Sequence, residues 1–349
     1  MPRRVALVAA VALVALVAGG AGWWWLTRPQ TELARAVALA PADSERLTFT
    51  HWSAVREELD PSLSADSSTT DLARFLDRGF DADLTSTSAL LQSAEVMQRD
   101  YGFSPASLEW ELLSQSRNGA VVVMRPSDDV DLEEVGDRLE DLGYERPEED
   151  DGVWRGGGDV LALIDPSLTP ELQYLVLDAG AGLVLASDTA AHLGDVSDRL
   201  GDEGPGDALV EVAEASGDAV SAVVYDGAYA CTELSMTSAD RGDQAEAEEL
   251  VAAAGEVNPL AAYAMAVQPG GDVRVAMGFE SDEQARSNAD SRAALAAGPA
   301  PGQGGTFADR FQLGAVTAEG TTVTMRLAPV EGGYVMSDLS AGPVLFATC

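Results

Sequence analysis

The run from Val5 to Leu26 constrains this chain most: 22 consecutive residues without a charge, preceded by Arg3 and Arg4 and followed by Thr27-Arg28-Pro29. About 20 apolar helical residues span the hydrocarbon core of a bilayer. Two arginines and the chain's amino group before the run, against one arginine after it, place the short amino-terminal end in the cytoplasm and residues 29–349 outside. Trp23, Trp24 and Trp25 close the run, where amphipathic rings favour the headgroup layer, and are read as membrane-interface residues. A cleaved signal peptide is the alternative, with Val5–Val17 as its apolar region and the small residues of 18–22 at the cleavage site. The uncleaved anchor is preferred because the three tryptophans extend the apolar run past that site. No cysteine follows the run, which excludes a lipid-modified terminus.

Charge narrows the partners. The chain has 21 basic residues, all arginine, against 58 acidic ones, a formal charge of −37. Residues 29–349 hold 18 arginines against 58 acids, hence −40. A nucleic-acid backbone needs a basic footprint, so nucleic acid is excluded as a partner. A hydrophobic content of 46% is ample for real cores, so the acidity is that of a folded body and not of a disordered tail.

Cys231 and Cys349 both lie in the exported part. An even pair in an oxidising compartment reads as a disulfide. The loop it closes, about 118 residues, is worth roughly 4–5 kcal/mol of unfolded-state entropy. The alternative is a buried Cys231 and a frayed carboxyl terminus.

Periodicity predicts an α+β protein: an amino-terminal transmembrane helix, then antiparallel or mixed sheets with helices packed on one face. Residues 1–28 are the anchor or signal, 29–45 a stalk, 46–204 a first α+β domain and 205–349 a second, with the boundary at the Gly/Pro-rich stretch 201–207. Ala120–Met124 is a buried strand by its continuous β-branched run, and Asp131–Leu142 an amphipathic helix stopped by Gly143. Val153–Arg155, Val160–Ile164, Leu172–Leu177 and Leu183–Ala186 read as four short strands, Tyr229–Cys231 as strand-like and Val344–Ala347 as a terminal strand. GLVLASD before the helix at 188–200 echoes RVAMGFESD before the helix at 282–297, which raises the prospect of two related halves; shared capping chemistry explains it equally well.

No catalytic set stands out. His51 beside Trp52, and His192 at the edge of an apolar stripe, are the only histidines. Neither has a base-orienting neighbour in the sequence. Gly102-Phe103-Ser104-Pro105 is not a nucleophile elbow, and neither Asp178–Gly182 nor Arg155–Gly158 opens a phosphate-binding helix. There is no CxxC or HExxH pattern for zinc. Asp128-Asp129-Asp131 and Glu148–Asp151 offer oxygen ligands for calcium, but the spacing fits solvated turns better. Trp52, Trp110 and Trp154 are read as core residues and not as a ligand-binding face. No cofactor is expected.

The stretch Tyr101–Pro105 through Leu108-Glu109-Trp110-Glu111-Leu112, followed by AVVVM and DRLEDLGY, resembles uncharacterised membrane-anchored exported proteins of high-G+C actinobacteria. The resemblance implies no activity and carries no site residues. The expectation is therefore a single-pass, extracytoplasmic, non-catalytic binding or interaction module of the cell envelope. Its partners are the membrane, through the amino-terminal helix, and an envelope protein, glycan or lipid. An envelope hydrolase using carboxylates and a solute- or lipid-binding module are the alternatives.

Overall fold

The structure is a computed structural model that describes residues 31–149 and 151–349. The expected anchor, with Trp23, Trp24 and Trp25, lies outside the described residues. Among those described, no helix is long and apolar enough to cross a membrane.

The first part of the chain runs α1 (Glu32–Val37), β1 (Arg46–Thr50), α2 (Trp52–Leu59), α3 (Thr69–Asp81), α4 (Ala94–Val96, continued by a π-turn), β2 (Leu108–Ser116), β3 (Gly119–Pro126), α5 (Leu132–Asp141), β4 (Trp154–Arg155), α6 (Gly157–Ile164), β5 (Tyr174–Asp178), β6 (Leu183–Ser187) and α7 (Ala190–Ser197). The rest runs α8 (Asp207–Ala215), β7 (Ser221–Asp226), α9 (Gly227–Glu233), α10 (Arg241–Ala254), β8 (Ala262–Val267), β9 (Val273–Gly278), α11 (Asp282–Ala296), β10 (Phe311–Glu319), β11 (Thr322–Pro329) and α12 (Val335–Leu339).

All eleven strands form one antiparallel sheet in the order β10-β11-β9-β8-β7-β1-β2-β3-β6-β5-β4. The α+β class with a large antiparallel sheet is thus as expected. The sheet does not stop at residues 204/205, because β1 pairs with β7 along its whole length, Thr48 opposite Val223. Each side of that junction has the same plan. β1, β2 and β3 are followed by α5 and by strands that return to place β6 beside β3; β7, β8 and β9 are followed by α11 and by a hairpin that places β11 beside β9.

Helices cover both faces, which corrects the expected one-sided layer. On one face α2, α3, α5, α6 and α9 to α12 bury Trp52, Phe75, Leu139, Leu161, Ala285 and Met336 against Val122, Met124, Val223 and Met265. On the other, α1, α7 and α8 bury Leu33, Leu193 and Val212 against Val121, Val123, Leu185, Ala222 and Ala264. The reason is legible in β3 and β6: consecutive apolar residues, without alternation, are the mark of a strand buried on both sides. Both core clusters draw residues from either side of 204/205.

The expected stalk is also overturned. Thr31 caps α1 by accepting from the Ala34 amide (3.1 Å), and Leu33, Ala34, Ala36 and Val37 are all buried. The Thr31 amide donates to the Glu214 carboxylate on α8 (3.2 Å). Short chain segments poor in aromatics still pack when their apolar positions fall at i, i+3 and i+4.

Three strands read from sequence are helical. Val160–Ile164 belongs to α6, entered through Gly156–Gly158. Tyr229–Cys231 belongs to α9, whose first turn Asp226 caps through the Tyr229 amide (2.5 Å). Val344–Ala347 ends in a 3-10 turn. Short apolar runs do not distinguish strand from buried helix by periodicity alone.

Candidate functional site

A cavity of about 280 Å³ lies where the two halves of the chain meet, bounded by Ala82, Asp83, Val267, Gly271, Val273 and Gly333. The first half supplies the carboxyl end of α3. There Asp83 adopts a left-handed backbone (φ +57°), the conformation that aspartate tolerates better than most residues. Its carboxylate is buried and accepts from the amides of Met336 (2.8 Å) and Ser337 (3.2 Å) and from the Ser337 hydroxyl, closing the first turn of α12. Burial raises its pKa, and the Ser337 and Met336 donors oppose that rise. The second half supplies the β8–β9 turn, in which Gly270 and Gly271 take φ of +83° and +88°, open to glycine at no steric cost. The Gly270 amide donates to Glu58 on α2 (3.1 Å), and Asp272 pairs with Arg326. Phe80 and Tyr334, two of the exposed large apolar side chains, stand on the segments that carry Asp83 and α12 (58% and 40% exposed). The wall of the cavity therefore combines glycine backbone, the apolar side chains of Ala82, Val267 and Val273, and an Asp83 carboxylate already bonded to α12.

Glu111 is the most perturbed acid. It sits mid-strand in β2, 1% exposed, and accepts from the Trp52 indole (2.9 Å) and the Ala89 amide (2.8 Å). Burial pushes its pKa up to about 7, against the pull of Trp52, Ser88 and the Ala89 and Leu90 amides. The group ties α2 and the 86–93 loop to the sheet. In a chain with 58 acids nothing singles out one of them, and Leu108-Glu109-Trp110-Glu111-Leu112 alternates apolar and acidic residues, the pattern of a strand whose glutamates face solvent.

Cys231 and Cys349 are joined, Cα to Cα 5.4 Å, so the sequence pairing stands. Beside them lies Arg292, fully buried on α11. Its guanidinium donates to the carbonyls of Phe346 (2.9 Å), Thr348 and Asn258 (2.7 Å), and its Nε to the Asn288 side chain (3.2 Å). Burial lowers its pKa to about 10. Here an arginine is satisfied by backbone carbonyls and a side-chain amide, and the carboxyl terminus is held by both a covalent bond and a cation.

The remaining sequence candidates do not converge on the cavity. His51 is half-buried; burial lowers its pKa, opposed chiefly by Glu32. His192 lies against Gly119 on the opposite edge. Trp52, Trp110 and Trp154 are buried. Among the described residues no group of three or more metal-ligating side chains gathers.

No family model and no curated protein matches the chain. A solved structure, crystal form I of TP0453, is similar over 87% of this chain and 96% of that chain, at 8% identity and a TM-score of 0.39. That likeness is too low to transfer fold or function.

Proposed function

We propose that the chain is a single-pass, membrane-anchored extracytoplasmic binding module of the cell envelope, with the cavity between its halves as the ligand site. The Cys231–Cys349 bridge carries the compartment part of this reading: such bonds persist where the surroundings oxidise. The arginine-flanked apolar run supports the same side of the membrane. The cavity supports binding over catalysis, because the polar groups on its wall are engaged in holding α2, α12 and β11 in place and neither histidine reaches it. The matching plans around β1 and β7 favour two related halves, with the ligand site at their junction. The sequence echo is then capping chemistry, since it equates β6–α7 with β9–α11, whereas the topology equates β3–α5 with β9–α11.

The test is thermal melting of the full chain against a panel of solutes, envelope glycans and lipids. A ligand that raises the melting temperature of the native chain and leaves Ala82→Trp unmoved supports the reading. Turnover of a substrate in a hydrolase screen, lost on His51→Ala, overturns it in favour of an enzyme.

A further inference from the structure

The two edges of the sheet are unlike. β4 is only two residues long, the usual way of blunting an edge, whereas β10 is nine residues long and uncharged from Phe311 to Ala318 in a chain of net charge −37. Its outward backbone groups can be located. The Val330 amide donates to the Arg310 carbonyl, and Pro329, which has no N–H, lies opposite Phe311. Strict alternation in an antiparallel ladder then turns the N–H and C=O of Phe311 and Leu313 away from β11. At the other end Glu319 and Thr322 close a two-residue turn, which turns Ala318 and Val316 outward in the same way. A bulge between Leu313 and Val316 shifts the alternation by one residue. As a result Phe311, Leu313, Val316 and Ala318 all pack toward one core, while Gln312, Thr317 and Glu319 are exposed.

We infer that β10 is the docking edge for a second copy of this chain, paired antiparallel about a two-fold axis at Gly314-Ala315. In that register Phe311 meets the second copy's Ala318, Leu313 its Val316, Gln312 its Thr317 and Arg310 its Glu319. Every outward-facing backbone pair is matched, apolar side chains meet apolar ones on one face, and opposite charges meet at both ends. The bulge is what makes this possible. Without it the odd register would set side chains from opposite faces against each other; with it the strand is complementary to itself. Neither Arg310 nor Glu319 makes an ion pair among the described residues: the Arg310 guanidinium donates to the carbonyls of Gln303 (2.8 Å) and Gly304 (3.1 Å). The inference does not depend on the ligand cavity.

The experiment is disulfide trapping of the full chain in membranes. Gln312 and Thr317 would face each other as a non-hydrogen-bonded pair, the closer of the two pair types and within disulfide reach. The double variant Gln312→Cys/Thr317→Cys is expected to run mostly as a cross-linked dimer without reductant, and each single variant as a monomer. Val316→Pro, placed where the strand's own N–H faces outward, is expected to cut cross-linking of the double variant at least tenfold; Ala318→Pro serves equally if the first fails to fold. A double variant that stays monomeric, single variants that cross-link as well as the double, or cross-linking indifferent to a folded proline variant overturns the inference.

Discussion

Glu111 makes a quantitative test of the buried seam between α2, the 86–93 loop and β2. Its pKa rises from an ordinary 4.5 to about 7 because burial penalises the carboxylate more than its donors reward it. That difference is roughly 2.5 tenfold steps in the proton equilibrium, at about 1.4 kcal/mol each, hence roughly 3 kcal/mol. The sign follows from which state binds the proton more tightly. Below about pH 4.5 both folded and unfolded chains carry it, and the contribution of this group is fully present. Between 4.5 and 7 the unfolded chain ionises first, and stability is lost until the folded carboxyl ionises too. Glu111→Gln keeps the shape and one acceptor but cannot ionise. The measurement is urea unfolding of both proteins from pH 4.5 to 8.5, with the difference between them cancelling the background from the other acids. The native chain is expected to lose roughly 3 kcal/mol more than the variant across that range. Equal pH slopes would refute the reasoning.

Reduction of Cys231–Cys349, or Cys231→Ser with Cys349→Ser, should cost roughly 4–5 kcal/mol because the bond closes a 118-residue loop; an unchanged urea midpoint contradicts this. Arg292→Met leaves the Phe346, Thr348 and Asn258 carbonyls without their donor, and should cost roughly 3 kcal/mol and speed hydrogen exchange over 344–348; exchange at the native rate contradicts it. Leu33→Ala should cost about 2–4 kcal/mol, since α1 is core, whereas a stalk would tolerate it without loss.

What could be read from the residues divides along burial. β3 was legible because Val121–Val123 has no solvent side, and α5 because its apolar residues repeat at helical spacing. The disulfide followed from the cysteine count and the expected compartment. α6 was misread since VLALI suits either state; in place, Leu163 is 87% exposed, an arrangement that a helix with one packed face allows. α9 was missed because its cap, Asp226, ends a strand and its Gly227 presses on the Leu260 carbonyl, where a Cβ would come within 2.1 Å. The second helical layer, and α1 with it, depends on β1 pairing with β7 across 175 residues, a contact that no local pattern announces. A still longer separation, 254 residues, hid the cavity: Asp83 and Ser337 meet only in the fold.

The most direct measurement uses a cysteine as a probe of sidedness, because a chain without lysine gives amine reagents little to label. Ser64→Cys, on an exposed loop, and Pro2→Cys, before the apolar run, are each treated with a membrane-impermeant maleimide. A membrane-anchored extracytoplasmic body predicts that Ser64→Cys is labelled in intact cells, remains in the membrane fraction and keeps its amino terminus, while Pro2→Cys is labelled only after lysis. Labelling of Ser64→Cys only after lysis, or its release into the medium with a new start near Ala21, would contradict it.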